Sequence, residues 1–142
     1  MKLSTRGRYG LRAMIELAKR HGSGPVLTNT ISETQGISTK YLHALLNTLR
    51  AAGLVRSIRG AKGGFVLARE PSDIDIKEIV VALEGSLGIV DCVQTPDLCG
   101  KNKDCPARRL WEEVGNAISA VLTKYTLEDL ARPDACAGKP AR

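Results

Sequence analysis

The chain has 142 residues, of which 43% are hydrophobic and 4% aromatic, so its core must be built mainly from aliphatic side chains. No apolar run approaches the roughly 18 residues of a membrane span, and no secretory signal opens the sequence, so we expect a cytoplasmic protein. Its four cysteines are then expected to be reduced thiols rather than disulfides, because that compartment is reducing.

The formal net charge of +6 is unevenly distributed along the chain. Residues 1–70 hold 12 Lys/Arg and 3 Asp/Glu, a net charge of +9, whereas residues 71–142 hold 9 and 12, a net charge of −3. Positive charge concentrated in one half is typical of a protein that binds a polyanion. A membrane-surface protein would need a basic amphipathic helix with bulky aromatic residues, and nothing in the sequence fits that description.

The first predicted element is a helix capped by Ser4 or Thr5, with an apolar stripe that consists of Leu11, Met14, Ile15 and Ala18. Polar and basic residues crowd its start: Lys2, Ser4, Arg6, Arg8 and Tyr9. The amides of a helix N-terminus, together with cations, could bind a phosphate there. The alternative is a core helix with a solvated end, and the two interpretations are compatible.

Residues 28–53 predict a helix-turn-helix. A short helix capped by Thr28 ends at Gly36, which tolerates the positive φ of a sharp turn, and a second helix runs from the N-cap Ser38 to a stop at Gly53. The second helix has an apolar stripe at positions i, i+3, i+4 and i+7, formed by Leu42, Leu45, Leu46 and Leu49. Its other face carries groups suited to base edges and phosphates in a major groove: Thr39, Lys40, His43, Asn47 and Arg50.

A basic β-hairpin is predicted directly after this helix. Residues 55–59 and 65–67 alternate with period 2, and a glycine-rich turn separates them. The cations Arg56, Arg59 and Lys62 lie where a wing would contact a minor groove or phosphates. Val26 and Leu27 could form a short strand that pairs with this wing. A helical hairpin or a charged edge hairpin is by itself an ordinary structural feature, but the two in succession favour DNA binding.

Three further helices are predicted in the second half. Asp75 and Glu78 form a capping box that opens a helix ending at Gly85, and Thr126 with Asp129 caps a last short helix. Between them, a long helix begins at Pro106 and carries a broad apolar stripe: Leu110, Trp111, Val114, Ala117, Ile118, Val121 and Leu122. This stripe could pack on a two-fold partner, as in dimeric readers of palindromic DNA, or back on its own domain.

The irregular loop at residues 91–106 contains three cysteines with the spacing C-x6-C-x5-C: Cys92, Cys99 and Cys105. Thiolates favour zinc, copper(I) or iron–sulfur clusters. The spacing differs from the C-x2-C knuckle of a zinc finger, and a loose, polar loop suits a larger inorganic core, which places iron–sulfur ahead of zinc. The three thiols could instead form a redox-sensing set. Cys136 lies apart and is interpreted as a bystander. The sequence shows no catalytic constellation and no phosphate-binding glycine loop, so we do not predict an enzyme.

Four motifs together resemble the IscR/NsrR/RirA family of bacterial regulators from Met1 to about Arg132. They are the opening MKLSTRGRYG, the turn QGISTKYL, the wing GLVRSIRGAKGGF, and the three-cysteine loop followed by Leu110 and Trp111. The resemblance implies a winged-helix homodimer crossed through its long C-terminal helices. It also implies a transcription factor, a repressor, whose iron–sulfur cluster tunes its binding to a palindromic operator of iron–sulfur assembly or iron and redox genes.

Residue by residue, the resemblance implies cluster ligation by the three loop cysteines and a reading helix that includes Ser38, Thr39, Lys40, Tyr41 and His43. It also implies that Arg59 enters the minor groove. Two departures leave the fourth ligand open between Cys136, Asp91, Asp104, a partner group, water and a small thiol. Arg108 stands where IscR has a ligating histidine, and Arg8 stands where NsrR-like members have an acidic residue, so a two-iron and a four-iron cluster are both possible. His43 replaces a residue that is often acidic in IscR-like members, which predicts a different operator preference.

The sequence therefore predicts a mainly α protein with a small β-hairpin wing. Residues 1–70 form the DNA-binding domain, residues 71–132 hold the connecting helix, cysteine loop and dimerisation helix, and residues 133–142 form a flexible tail. The predicted DNA-binding residues are Ser4, Arg6, Tyr9, Thr28, Ser38, Thr39, Lys40, Tyr41, His43, Arg50, Arg59 and Lys62. The alternative function is a clusterless thiol-redox or zinc-containing regulator of the same fold.

Overall fold

The computed structural model describes residues 2–135, and within them the chain is mainly helical with one antiparallel β-hairpin. This confirms the predicted fold class. The elements in chain order are α1 (Thr5–Lys19), α2 (Thr28–Gln35), α3 (Thr39–Ala51), β1 (Val55–Ile58), β2 (Gly64–Leu67), α4 (Ile76–Glu84), α5 (Asp91–Gln94), α6 (Pro106–Lys124) and α7 (Leu127–Ala131). Short 3-10 turns lie at Pro71–Asp73, Pro96–Leu98 and Asn102–Asp104.

The core is formed by the inward faces of α1, α3 and α4, closed by the hairpin and by α7. The leucine stripe of α3 is buried as its spacing predicts, because each of its four leucines is at most 1% exposed. Met14 and Ala13 of α1 and Ile79 of α4 are fully buried against it. Burial of each leucine, isoleucine or methionine side chain contributes about 1.5–3 kcal/mol, so this core fixes the orientation of the helix-turn-helix.

The predicted turns of the helix-turn-helix and wing are confirmed. Gly36 ends α2 with a φ of 64°, in the left-handed region that glycine adopts without a side-chain clash. β1 and β2 pair in antiparallel register with Val55 opposite Leu67. The predicted pairing of the segment before α2 with the wing is present as a bridge between Val26 and Phe65, with N–H···O distances of 2.9 Å in both directions. The wing is therefore attached to the body of the domain.

Two predicted helix caps differ from the structure. Thr28 is the first residue of α2 rather than its cap; Leu27 occupies the cap position, with no side-chain hydrogen bond to the helix. Asp75 caps α4 by accepting from the Glu78 N–H at 2.8 Å, but the Glu78 carboxylate pairs with Arg69 instead of completing the capping box. A charged donor is available to Glu78 outside the helix, and charge-assisted hydrogen bonds are stronger than neutral ones.

The C-terminal half packs differently from the core. No residue of α6 is buried along its 19 residues, whereas α7 returns to α1 and buries Leu127 completely. The predicted cap of α7 is present as a full capping box between Thr126 and Asp129. Of the predicted tail, only residues 133–135 are described, and Cys136 lies outside the described residues. Among the helices described, none is long and apolar enough to cross a membrane.

Candidate DNA-binding surface and cysteine loop

The start of α3 is organised by hydroxyl groups. Ser38 caps the helix, and its Oγ accepts from the Tyr41 N–H at 3.3 Å, as predicted for this residue. Thr39 donates through Oγ1 to Ser32 Oγ at 3.3 Å, and Ser32 in turn donates to the Ile37 carbonyl at 2.6 Å. The turn between α2 and α3 is thus fixed by a short hydrogen-bonded chain, while Lys40 projects from the exposed face next to it.

Two tyrosines join the start of α1 to the start of α3. The rings of Tyr9 and Tyr41 meet edge to face with centroids 6.2 Å apart, a favoured geometry for aromatic pairs. The Tyr41 hydroxyl also reaches Thr5 Oγ1 at 3.5 Å. The guanidinium groups of Arg8 and Arg12 lie 5.8 and 5.5 Å from the Tyr9 ring centroid, within cation–π range. The basic start of α1 and the predicted reading helix therefore form one continuous surface.

The reading helix is joined to the wing by a second ring contact. The imidazole of His43 lies 6.3 Å from the ring centroid of the buried Phe65 on β2. In the wing turn, a side chain at Gly63 would collide with the Ile58 carbonyl, and one at Gly64 would collide with the Val26 carbonyl. The turn therefore depends on glycine, and it presents Arg59 and Lys62 to solvent on its tip.

The cations on this face are available to an outside partner. Arg6, Arg50 and Lys62 are exposed and form no ion pair with any residue between 2 and 135. The same is true of Lys40 and Arg59. Cations without an internal partner can pair with phosphates and release the counterions of a duplex, which is the main source of non-specific DNA affinity.

Sequence inspection missed a polar network that holds α1 against α2. Glu16 is 4% exposed, and its carboxylate accepts from Arg20 at 2.9 Å and from Gln35 Nε2 at 3.1 Å. Arg12 donates to both the side chain and the backbone carbonyl of Gln35, at 3.0 and 2.6 Å. Gln35 ends α2, so the network fixes the helix that precedes the turn. The one available signal was an acidic residue at a position of α1 that the helical period places toward the core.

Two predicted contact sites are already engaged within the protein. Thr28 is 9% exposed, so its side chain is largely buried rather than displayed. The backbone N–H groups of Ser4 and Gly7, at the start of α1, donate to the Glu84 carboxylate at 3.2 and 2.9 Å. A carboxylate from α4 occupies these amides in this structure, so phosphate binding at the start of α1 stays a prediction that would require Glu84 to be displaced.

The three loop cysteines lie on separate short elements. Cys92 is on α5, Cys99 follows a 3-10 turn, and Cys105 is the N-cap residue of α6. All three are free thiols of intermediate burial. Cys99 and Cys105 line the same open cavity of about 770 Å³, together with Lys101, Lys103 and Asp104, whereas Cys92 does not line it.

The donor chemistry of this loop fits a thiophilic centre, because three reduced sulfurs occur within one short segment and two of them face a common cavity. Between residues 2 and 135, however, no three His, Cys, Asp or Glu side chains are grouped so as to hold a metal ion. Cys92 would have to approach the cavity of the other two for all three to share a centre. The assignment of a metal or cluster to these residues stays a prediction.

A helix-turn-helix with an exposed polar face, an attached glycine-rich wing and a continuous cationic surface define a winged-helix DNA-binding protein. The model of the Rrf2 family, described as an iron-dependent transcriptional regulator, matches residues 3–133. The chain therefore belongs to the Rrf2 family of transcriptional regulators.

Individual relatives agree with this family. The chain is 47% identical over 132 residues to the HTH-type transcriptional regulator CymR of Bacillus subtilis, covering 92% of this chain and 90% of that protein. The solved structure of that CymR, described as the global cysteine regulator of B. subtilis, superposes with a TM-score of 0.79 at 46% identity, over 92% of this chain and 96% of that one. The structure of T. potens IscR superposes with a TM-score of 0.75 at 43% identity, over 92% and 85%.

Proposed function

We propose that this chain is a homodimeric repressor that binds a palindromic operator and that an iron–sulfur centre at Cys92, Cys99 and Cys105 tunes this binding. The observation that carries the proposal is the set of three free thiols in one loop, the last of which is the N-cap of α6. The family description as iron-dependent and the similarity to IscR support it. Genes of iron–sulfur assembly or iron and redox metabolism are the proposed targets.

Operator reading is assigned to the polar face of α3 and to the wing. Lys40, His43 and Arg50 are exposed along α3, where a helix lying in a major groove would bring them to base edges and phosphates. Arg59 at the wing tip has the length and charge for a narrow minor groove. Tyr9 and Tyr41 keep the start of α1 beside α3, so Arg6 can contact the flanking phosphates.

The coupling between loop and operator is assigned to α6. A bound cluster would supply a reversible, iron-dependent link between the loop sulfurs. Cys105 directly precedes Pro106, so a restraint on its sulfur also restrains the start of α6. In a dimer joined through α6, such a restraint would favour one spacing of the two reading heads. A group that binds one conformation better than another shifts the population toward it, and operator affinity changes accordingly.

The test is anaerobic purification or reconstitution with iron and sulfide, followed by operator titration of the loaded and metal-free protein. The proposal expects a coloured protein with iron and acid-labile sulfide, and two different operator affinities. Cys99→Ser should lose both the colour and the difference in operator affinity, while Ser23→Ala, at an exposed turn residue outside the cysteine loop, is the control that keeps them. Equal affinity of the loaded and metal-free forms at every operator would contradict the sensing role.

A thiol-redox or zinc-containing regulator is the second candidate. It is favoured by the 47% identity to CymR, a relative described as a cysteine regulator, and by the separation of Cys92 from the cavity shared by Cys99 and Cys105. A colourless protein with stoichiometric zinc, or one whose operator affinity changes on mild thiol oxidation without bound iron, would favour this candidate over the first.

A further inference from the structure

The first turn of α1 is held by a carboxylate from a distant part of the chain. Glu84 Oε1 accepts from the backbone N–H of Ser4 at 3.2 Å, from the backbone N–H of Gly7 at 2.9 Å and from the hydroxyl of Ser4. α1 has no acidic residue in its own first turn. The Ser4 hydroxyl also accepts from the Gly7 N–H at 3.3 Å, so Glu84 adds a second acceptor there and supplies the negative charge that a helix N-terminus favours.

Two glycines make room for this contact. Gly7 and Gly10 are buried on the face of α1 that meets α4. A Cβ at position 7 would overlap the Glu84 carboxylate, and a Cβ at position 10 would overlap the side chain of Leu83. The Glu84 carboxylate can reach the first turn of α1 because position 7 lacks a side chain, and Leu83 can lie against α1 because position 10 lacks one.

Glu84 lies between the two functional parts of the chain. It is the last residue of α4, and Gly85, with a φ of 87°, begins the segment that leads to the cysteine loop. On its other side, the turn held by Glu84 contains Thr5, which accepts from the Tyr41 hydroxyl of the reading helix at 3.5 Å. The same turn carries the exposed cation Arg6.

We propose that Glu84 is a positioning residue for operator binding. Its carboxylate fixes the first turn of α1 so that Arg6 stands beside α3 and contacts a phosphate without first having to be ordered. A second part rests on the proposed function: the contact is the route by which a change in the cysteine loop, transmitted through Gly85 and the end of α4, loosens or tightens the DNA-contacting turn.

Three variants and one control test the positioning role on metal-free protein. Glu84→Ala removes the acceptor, and Glu84→Gln keeps an oxygen acceptor without the charge. Gly7→Ala displaces the carboxylate while leaving its charge in the protein, and alanine favours the helix, so this variant should fold. Glu78→Ala is the matched control, because it removes one carboxylate of the same helix whose ion-pair partner is Arg69.

Whether operator binding becomes weaker or tighter distinguishes a positioning role of Glu84 from a simple effect of its charge. Removing a negative charge near a polyanion should strengthen DNA binding slightly, and Glu78→Ala reports that effect. We expect Glu84→Ala and Gly7→Ala to weaken operator binding instead, by roughly fivefold at physiological salt, which is the value of about one lost phosphate contact. The slope of log K against log salt should fall by about 0.9 in magnitude. Glu84→Gln should lie between Glu84→Ala and the wild type.

The positioning role would be overturned if Glu84→Ala and Gly7→Ala had the same operator affinity and salt slope as the control. Tighter binding than the control would also overturn it and would show that Glu84 competes with phosphate for the amides. For the second part, the affinity ratio between loaded and metal-free protein should approach one in Glu84→Ala and persist in Glu78→Ala. A persistent ratio in Glu84→Ala would refute the route. If loaded and metal-free wild-type protein had equal operator affinities, the proposed sensing function would be refuted. The affinities of the metal-free variants would still decide the positioning role.

Discussion

The DNA-reading half and the cysteine-containing half of this chain differ in how completely they are packed. All but one of the residues that form the buried hydrophobic core lie at or before Leu83, the exception being Leu127 on α7. From Glu84 to Thr126, no described side chain is buried, although the segment includes the longest helix of the fold. The DNA-reading half therefore has a closed core within one chain, whereas the cysteine-containing half leaves the apolar stripe of α6 only partly covered.

This difference has a functional consequence. A rigid reading half keeps the polar face of α3 and the wing in one fixed relation, through the Tyr9–Tyr41 and His43–Phe65 contacts. A half with few buried contacts can change conformation at a low cost in free energy, which is the property expected of a part that responds to a signal. In the proposed dimer, adjustment of the spacing between the two reading halves would therefore be easier than deformation of either half.

The largest effect should come from a cavity in the reading half. Leu46→Ala removes a fully buried side chain from α3 and is expected to lower the free energy of unfolding by about 3–5 kcal/mol, because the packed core collapses only partly around the vacated space. Urea unfolding at a fixed protein concentration measures this loss in the free energy of unfolding. Leu110→Ala removes the same atoms from a side chain that is 52% exposed on α6, and it should cost far less at a concentration where the chain is monomeric. Similar losses of unfolding free energy for the two variants would contradict the difference in packing between the two halves.

The next effect should appear at the apolar face of α6. Val121 is 56% exposed, and in a dimer joined through α6 it would be covered by the partner. Val121→Asp replaces an apolar contact with a charge that must be desolvated, so we expect the dimerisation constant to weaken on the order of a hundredfold. Sedimentation velocity would show monomers at micromolar concentration. Thr123→Asp places the same charge off the apolar stripe and should remain dimeric, and an unchanged Val121→Asp dimer would rule out α6 as the interface.

Local patterns predicted the fold well because the relevant physics is local. The spacing of Leu42, Leu45, Leu46 and Leu49 determines which face of α3 is buried, and Gly36 determines where the chain turns. The cap of α4 was half right for the opposite reason. Asp75 acts within its own turn, but the partner of Glu78 is Arg69, which only the folded chain brings near.

The residues of the candidate site could be predicted from the sequence, but the contacts between residues far apart in the chain could not. The exposed cations of α3 and the wing could be read from their positions in the pattern. The contact of Glu84 with Ser4 spans 80 residues, and no periodicity or motif reports such a pair. The grouping of the three cysteines is equally non-local: their spacing suggests shared chemistry, whereas the structure brings only Cys99 and Cys105 to one cavity.

A smaller effect is expected at the wing tip. Arg59→Ala should weaken operator binding by roughly tenfold and relax the sequence preference where the wing meets a narrow minor groove, because a guanidinium inserted there reads groove width. Fluorescence anisotropy with duplexes altered at single positions measures both effects. Lys19→Ala removes the same charge from the end of α1 opposite Ser4 and serves as the control. A preference profile in Arg59→Ala identical to that of the wild type would contradict the minor-groove role.

The smallest effect is expected at the ion pair between Arg69, just after the wing, and Glu78 on α4. The hydrogen bond to Glu78 raises the pKa of Arg69 above its ordinary value, and the Arg69 side chain also donates to the Asp73 carbonyl at 2.9 Å. Both side chains are about two-fifths exposed, so solvent screens the pair, and Arg69→Ala should cost no more than about 1 kcal/mol.

A group whose pKa is raised on folding contributes stability below its unfolded pKa and loses it only as the pH rises through the folded value. Both values for Arg69 are strongly alkaline, so thermal unfolding of wild type and variant should differ by the same amount between about pH 6 and pH 9. A difference in stability that grew steeply within that window would show that another titrating group controls this ion pair.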